Sequence, residues 1–309
     1  MVKTHLNKQQ KDLIFICLML AIPIIHFLVF WVYVNIGSIA MAFQDRLTGE
    51  FTMANFKQFF RLLEKDTQMG GTLKYAFGNT VAYIAISSFI VTPLNVFVSF
   101  ILFKKFFGHT FFRVVFYVPT IIGSVVMSMM TVYVLDATGP IIAITKAMGV
   151  KWDFEILQTG LLGNLKSANL TLFINSLGIS GGTILLLTGA LGRIPRDIFD
   201  SGKIDGMGLF REFLYIAVPL TWSTTGIMWV MGFANGWASD FGVYLLTGGG
   251  YGTSTFGSYL FANTLTAATT ANGDFHYPAA MGLMLSAVVI PLTLIVRHFS
   301  DKIVEQVEF

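Results

Sequence analysis

GRIPRDIFDSGKIDGMGLFREFLYIAVP, residues 192–219, is a charged island between two stretches apolar enough to cross a bilayer. A turn between membrane helices needs only a few residues. This one carries a proline-initiated segment with charges of both signs, a glycine break and a second proline inside the next apolar run. Pro195 suits the first helical position, where its missing N–H removes no bond. Asp197, with Asp200 just beyond, favours the positive end of the helix dipole. The spacing predicts a short helix over 195–205 that stops at Gly206, a residue able to adopt positive φ. Ser201 and Gly202 are small, so that face admits another backbone, and Ile198, Phe199 and Met207 add an apolar surface too small for a domain core. The island is either a docking surface held at the membrane face or an amphipathic linker resting on lipid headgroups.

The rest of the chain argues for a membrane. Of its 309 residues 54% are hydrophobic and only 12% charged, with a mean hydropathy of +0.69; soluble chains carry about 25% charged residues. About 20 mostly apolar residues span the hydrocarbon core. Six segments qualify, at about 13–34, 76–103, 114–135, 170–191, 213–234 and 279–296, so the expected fold is an all-α bundle of six transmembrane helices forming one domain over 1–309, with a cytoplasmic loop at 192–212. Pro93, Pro219 and Pro291 fall inside spans, where neighbours can re-satisfy the freed carbonyls. The first run is too long for a signal-peptide core and reads as an uncleaved membrane helix. Twelve of the 20 Lys and Arg fall in the short segments 1–12, 104–113, 192–212 and 297–309. The positive-inside rule therefore puts both termini and the island in the cytoplasm. In the long outer segment 35–75, FTMANFKQFFRLL (51–63) has helical apolar spacing and predicts a short amphipathic helix.

No expected span contains Asp, Glu, Lys or Arg. Ion-coupled carriers place ionisable groups at depth, so proton coupling and a strongly charged solute are disfavoured. Asp240, Asp274 and Glu212 stand only at the boundaries, and the lone His26 and His276 read as packing or interfacial residues. Cys17 is the single cysteine, which excludes an intrachain disulfide and a cysteine metal site. There is no G-x-x-x-x-G-K-[ST] loop, no H-E-x-x-H and no nucleophile triad, and the glycine cluster 248–252 reads as a tightly turned or flexible outer loop. The expectation is a non-enzyme with no cofactor and no metal, and basic residues scattered beside apolar runs give no nucleic-acid face. Polar uncharged side chains such as Asn79, Asn95 and Asn175, with Trp222, Trp229 and Trp237, serve by default as interhelical partners. Together they could line a path for a neutral hydroxyl-rich solute.

DSGKIDGMGLFREFLYIAVPL, residues 200–220, resembles the cytoplasmic EAA loop of ATP-binding-cassette importer permeases. The acid stands as Asp200, the glycine as Gly206 and the ending as Ile216 and Pro219, while E-A-A has become Asp200-Ser201-Gly202. YAFGNT (75–80), FFRVVFYVP (111–119), YLLTGGG (244–250) and Asn175 are also similar to segments of sugar-importer permeases. The chain stops soon after the sixth span, without a Gly/Ala-rich tail, so it is most similar to first-type, maltose-permease-F-like subunits. The resemblance implies a multi-pass subunit of the bacterial plasma (inner) membrane. Its partners would be a second permease, two ATPase subunits and an extracytoplasmic binding protein that delivers a sugar. It places the ATPase-docking surface at Asp200, Ser201, Gly202, Asp205 and Gly206, and a solute pathway at Asn175, Gly178, Gly232, Asn235, Gly236 and Trp237. Two readings from other classes stand beside it. A self-sufficient channel or facilitator for small neutral solutes leaves the island without a task, and an anchoring protein leaves the polar residues at depth without one.

Overall fold

The computed structural model describes residues 8–69, 72–178, 180–270 and 273–305. The two chain ends, which the charge count assigns to the cytoplasm, lie outside the described residues. Helices account for nearly all of the regular structure, and the one isolated β-bridge among the described residues joins Gln44 and Phe51. Two compact units are formed, Met1–Arg61 with Ala267–Met284, and Leu62–Thr266 with Leu285–Phe309.

In the first unit the leading span runs Asp12–Ala42, longer than the expected 13–34, and exposes large apolar side chains along most of its length. A helix that is apolar all round belongs in lipid or among other helices. Where it ends, Phe43 stacks on Phe51 at 5.6 Å and meets Phe56 at 5.0 Å. The Asn55 amide donates to the carbonyls of Ala42 and Gln44, each at 3.0 Å. These contacts start the amphipathic helix Ala54–Met69, which buries Asn55 and Phe59 and extends beyond the expected 51–63. At the start of the last helix, His276–Glu305, the Asp274 carboxylate accepts from the His276 N–H at 2.9 Å and faces its Nδ1 at 3.0 Å.

The second unit holds Thr72–Phe103, Ser124–Ala147, Ala168–Leu191 and the bent pair Leu209–Leu220 and Trp222–Gly236. The described residues thus hold five helical stretches of crossing length, and six if the bent pair counts as one span. Three expected spans are interrupted. The stretch 114–135 is two helices, His109–Ile121 and Ser124–Leu135, because Ile122 and Gly123 are extended. Pro119 weakens the last turn of the first by removing its N–H and crowding the carbonyl four residues back. The stretch 170–191 divides into Ala168–Ser176 and Gly181–Leu191. The stretch 213–234 bends by 73° at Thr221, two residues after Pro219.

Two of the prolines leave the same trace. Ser87–Val91 and Phe213–Ala217 are π-helical, each ending two residues before a proline. The N–H of Thr92 reaches back five residues to Ser87, and that of Val218 to Phe213. A proline cannot donate and clashes one turn back, so the preceding turn widens to i→i−5. Neither break was visible from hydropathy, which scores composition and not the ladder.

The core that positions the charged island gathers Val96, Phe100, Leu187, Leu191, Ile194, Phe199, Phe213, Ile216 and Ala217. A second core gathers around Tyr83, Leu135, Ile142, Leu172 and Val243.

Candidate docking helix and solute pathway

The island folds as the helix Arg196–Ile204. Pro195, expected as its first residue, is instead the N-cap, with ψ at 137°. Asp205 is the C-cap and Gly206 takes φ +72°, as the stop signal required. The Gly206 N–H bonds the Lys203 carbonyl at 3.0 Å and the Met207 N–H bonds the Gly202 carbonyl at 2.9 Å. This pair of bonds is the left-handed Schellman closure that satisfies terminal carbonyls.

The helix has two faces. Phe199 and Gly202 are buried, and a Cβ added at Gly202 would lie 2.9 Å from Ile216 Cδ1 and 3.4 Å from Met207 Sδ. The small residue therefore lets Met207 and the first turns of the fifth span, at Ile216, pack directly on the helix. Asp200, Ser201, Lys203, Asp205 and Gly206 are exposed. Lys203 donates to Asp200 Oδ1 at 2.8 Å. That hydrogen bond, and then the Lys203 charge, holds the Asp200 carboxyl below its usual range. Ser201 Oγ donates back to the Ile198 carbonyl at 2.9 Å. Of the five expected docking residues, the fold brings four to one accessible face and turns Gly202 inward.

The expected pathway residues divide in the same manner. Asn175 and Gly178 are exposed at the break of the fourth span, where Asn175 lines a recess of about 590 Å³ with Thr171, Thr131, Trp152, Met127 and Met130. The break is built, not frayed. Ser180 caps the second half by accepting from the Thr183 N–H, and the Asn95 side chain accepts the Ser180 N–H at 3.1 Å. A Cβ at Gly181 would lie 2.3 Å from the Phe116 carbonyl oxygen, so this half-helix crosses the third span at backbone contact. Gly232 and Asn235 are exposed on Trp222–Gly236. Gly236 and Trp237 are buried, the former against Ile84 and the latter beside Phe77 and Phe233.

Sequence reasoning missed two constellations. Beside the charged island Lys104 forms an ion pair with the buried Glu212 and stands over the rings of Phe199 and Phe100. A lysine closing one apolar run and a glutamate opening another were the available signal, but nothing in one dimension pairs them. Around the glycine cluster the Asn79 amide donates to the Gly252 and Ser254 carbonyls at 2.8 and 2.9 Å, Asn169 donates to Gly252 at 2.9 Å, and Thr80 accepts the Phe256 N–H. The glycine cluster is thus a pinned turn, with Gly248, Gly249 and Gly252 at positive φ. Among the described residues no group of His, Cys, Asp and Glu could hold a metal.

Comparison with known proteins places this arrangement of broken apolar spans around an amphipathic helix held between two of them among known folds. No protein-family model matches the chain. It is 24% identical over 193 residues to the probable ABC transporter permease protein YurN of Bacillus subtilis, covering 61% of this chain and 63% of that protein. It is 25% identical to the multiple sugar-binding transport system permease protein MsmF of Streptococcus mutans, over 76% of this chain and 75% of MsmF. Its fold matches, with a TM-score of 0.78 and 18% identity over 96% of this chain and 98% of the other, a chain of a bacterial ABC transporter involved in the import of the acidic polysaccharide alginate. The chain has the fold of an ABC importer permease, and the relatives that it resembles are ABC permeases, sugar-transport permeases among them. Such subunits carry no ATPase site, and hydrolysis resides in a separate chain.

Proposed function

We propose that this chain is the membrane-spanning permease subunit of an ATP-driven, binding-protein-dependent importer of a neutral sugar or oligosaccharide. The observation that carries the reading is the two-faced helix Arg196–Ile204: Phe199 and Gly202 are buried against the core shared with the second and fifth spans, and Asp200, Ser201 and Lys203 stand free beside the exposed Ile204. A linker resting on headgroups would turn Phe199, the one aromatic side chain of this helix, outward. Here Phe199 and Gly202 turn in, while Asp200, Ser201 and Asp205 stand out in solvent.

In this reading the free face, including the closing Gly206, seats in an ATPase subunit in the cytoplasm, with both chain termini on the same side. A second permease completes the bundle, two ATPases grip the pair, and an extracytoplasmic binding protein delivers solute to the outer face. Alternating access is then near rigid-body rocking. Asn175, Gly178, Gly232 and Asn235 face the pathway, and Gly236 and Trp237 support it from behind. The interrupted fourth span suits that role, because irregular backbone at depth is tolerated where it lines a cavity or is covered by protein. The absence of ionisable residues from the expected spans supports an uncharged solute.

The test is purification of the tagged chain from native membranes in mild detergent, with every co-eluting chain identified by mass spectrometry. A second permease and a Walker-motif ATPase are expected with the wild type, and Asp200→Lys should release the ATPase. Recovery of this chain alone, conducting solute without ATP, would refute the proposal in favour of a channel.

A further inference from the structure

Lys104 follows the helix Thr92–Phe103 as its C-cap, where a cation complements the negative end of the dipole. Its side chain, 20% exposed, pairs with the Glu212 carboxylate, which is 5% exposed. The ammonium also lies 4.5 Å from the centroid of the Phe199 ring and 5.3 Å from that of Phe100. A cation over an aromatic face is attracted to the ring quadrupole, and more so where water is excluded. One side chain therefore touches three segments: the inner end of the second span, the buried face of the helix Arg196–Ile204, and Leu209–Glu212, which begins the fifth span.

An ion pair is a poor choice for stability at this place. Desolvation offsets most of the Coulombic gain, and a well-packed apolar pair often does as well. What a buried pair supplies is register. The surroundings are aromatic: Phe103 meets Phe199 at 5.6 Å, and Phe213 meets Phe97 at 5.1 Å and Phe100 at 5.5 Å. Aromatic surfaces hold area without direction, so a helix seated on them alone can slide or roll under load. A charge fixed between a carboxylate and a ring face resists both movements.

We infer that Lys104, held by Glu212, is a positioning residue that bolts the helix Arg196–Ile204 to the inner ends of the second and fifth spans, so that displacement of the docking face passes to both spans without slippage. This rests on the importer reading, in which the helix is the part an ATPase moves. Nothing in the EAA-like pattern assigns a task to Lys104 or Glu212.

The experiment uses the whole complex, purified through this chain with its ATPase, in a Cys17→Ser background. Spin labels are placed at Phe107→Cys and Ile204→Cys, both exposed positions, and the distance is measured before and after addition of ATP with vanadate. With the native pair the distance distribution should stay single and unmoved, because the two segments travel together. In Lys104→Met and Glu212→Gln it should split or shift by about 2 Å or more on ATP, with the ATPase still co-purifying. Lys104→Arg keeps the charge and the stacking and should restore the unmoved distribution. Unchanged distances in both disruptive variants overturn the bolt. Loss of the ATPase from either variant also overturns it, since the pair would then build the docking surface instead of transmitting its movement. A wild-type chain that recovers no ATPase refutes the importer reading itself, an outcome distinct from these.

Discussion

Replacement of Gly206 by alanine isolates the backbone of the docking loop from its contacts. No atom lies within 4 Å of the position a Cβ would occupy, and φ is +72°. The substitution therefore meets no neighbour, and its whole cost is the left-handed conformation, about 1–2 kcal/mol for an L-residue. Two hydrogen bonds depend on that conformation, Gly206 to Lys203 and Met207 to Gly202. If the capped loop is the form that docks and the alanine variant leaves that form when free, restoring it takes this cost from the docking free energy. Since about 1.4 kcal/mol is a factor of ten, Gly206→Ala should weaken retention of the ATPase about tenfold. Asparagine enters the left-handed region more readily, so Gly206→Asn should lose clearly less. The assay is the dissociation constant of the ATPase recovered with the wild-type chain, titrated back onto the stripped permease in detergent. Equal affinities for the alanine and asparagine variants would refute the reasoning, because positive φ would then not be what the site requires. So would an alanine variant as tight as wild type.

Further outcomes follow from the same geometry. Gly181→Ala places a Cβ against backbone atoms of Phe116 and Tyr117 that cannot rotate away. It should cost about 3 kcal/mol and lower the unfolding temperature in detergent, whereas Gly182→Ala, with nothing within 4 Å, should be near neutral. Asn79→Ala removes one buried and one part-buried hydrogen bond to the glycine turn, worth about 2 kcal/mol together, and should speed amide exchange over residues 248–256. The Asp200 carboxyl is depressed chiefly by its hydrogen bond from Lys203. Its negative charge is thus present above the ordinary carboxylate range and is lost only as pH falls through the lowered value. Docking that depends on this charge should stay flat down to about pH 5, and Lys203→Met should move the acid fall-off to higher pH.

Much of this protein was legible in one dimension because the signals are local. Apolar length and the scarcity of charge establish a membrane protein, since the bilayer sets a length that composition must meet. The short helix of the island and its stop at Gly206 follow from a proline, two acids and a glycine in fixed order. Hydropathy could not see that three of the expected spans are interrupted. A broken helix is as apolar as a straight one, and the break at Gly178 stands because the Asn95 side chain, some 85 residues away, accepts the Ser180 N–H.

The tertiary structure alone decided which face of the island is free. Binary pattern left a docking surface and a headgroup linker open; the seating of Phe199 beside Phe103 and of Gly202 under Ile216 settles the orientation of the helix. It also separated the exposed Asn175, Gly178, Gly232 and Asn235 from the buried Gly236 and Trp237, which adjacency in sequence had grouped together. The Lys104–Glu212 pair joins residues 108 positions apart. The sequence determines that each carries a charge at a membrane boundary. Only packing of the second span against the fifth brings them together, because a charge states what it will pair with but not where its partner will be.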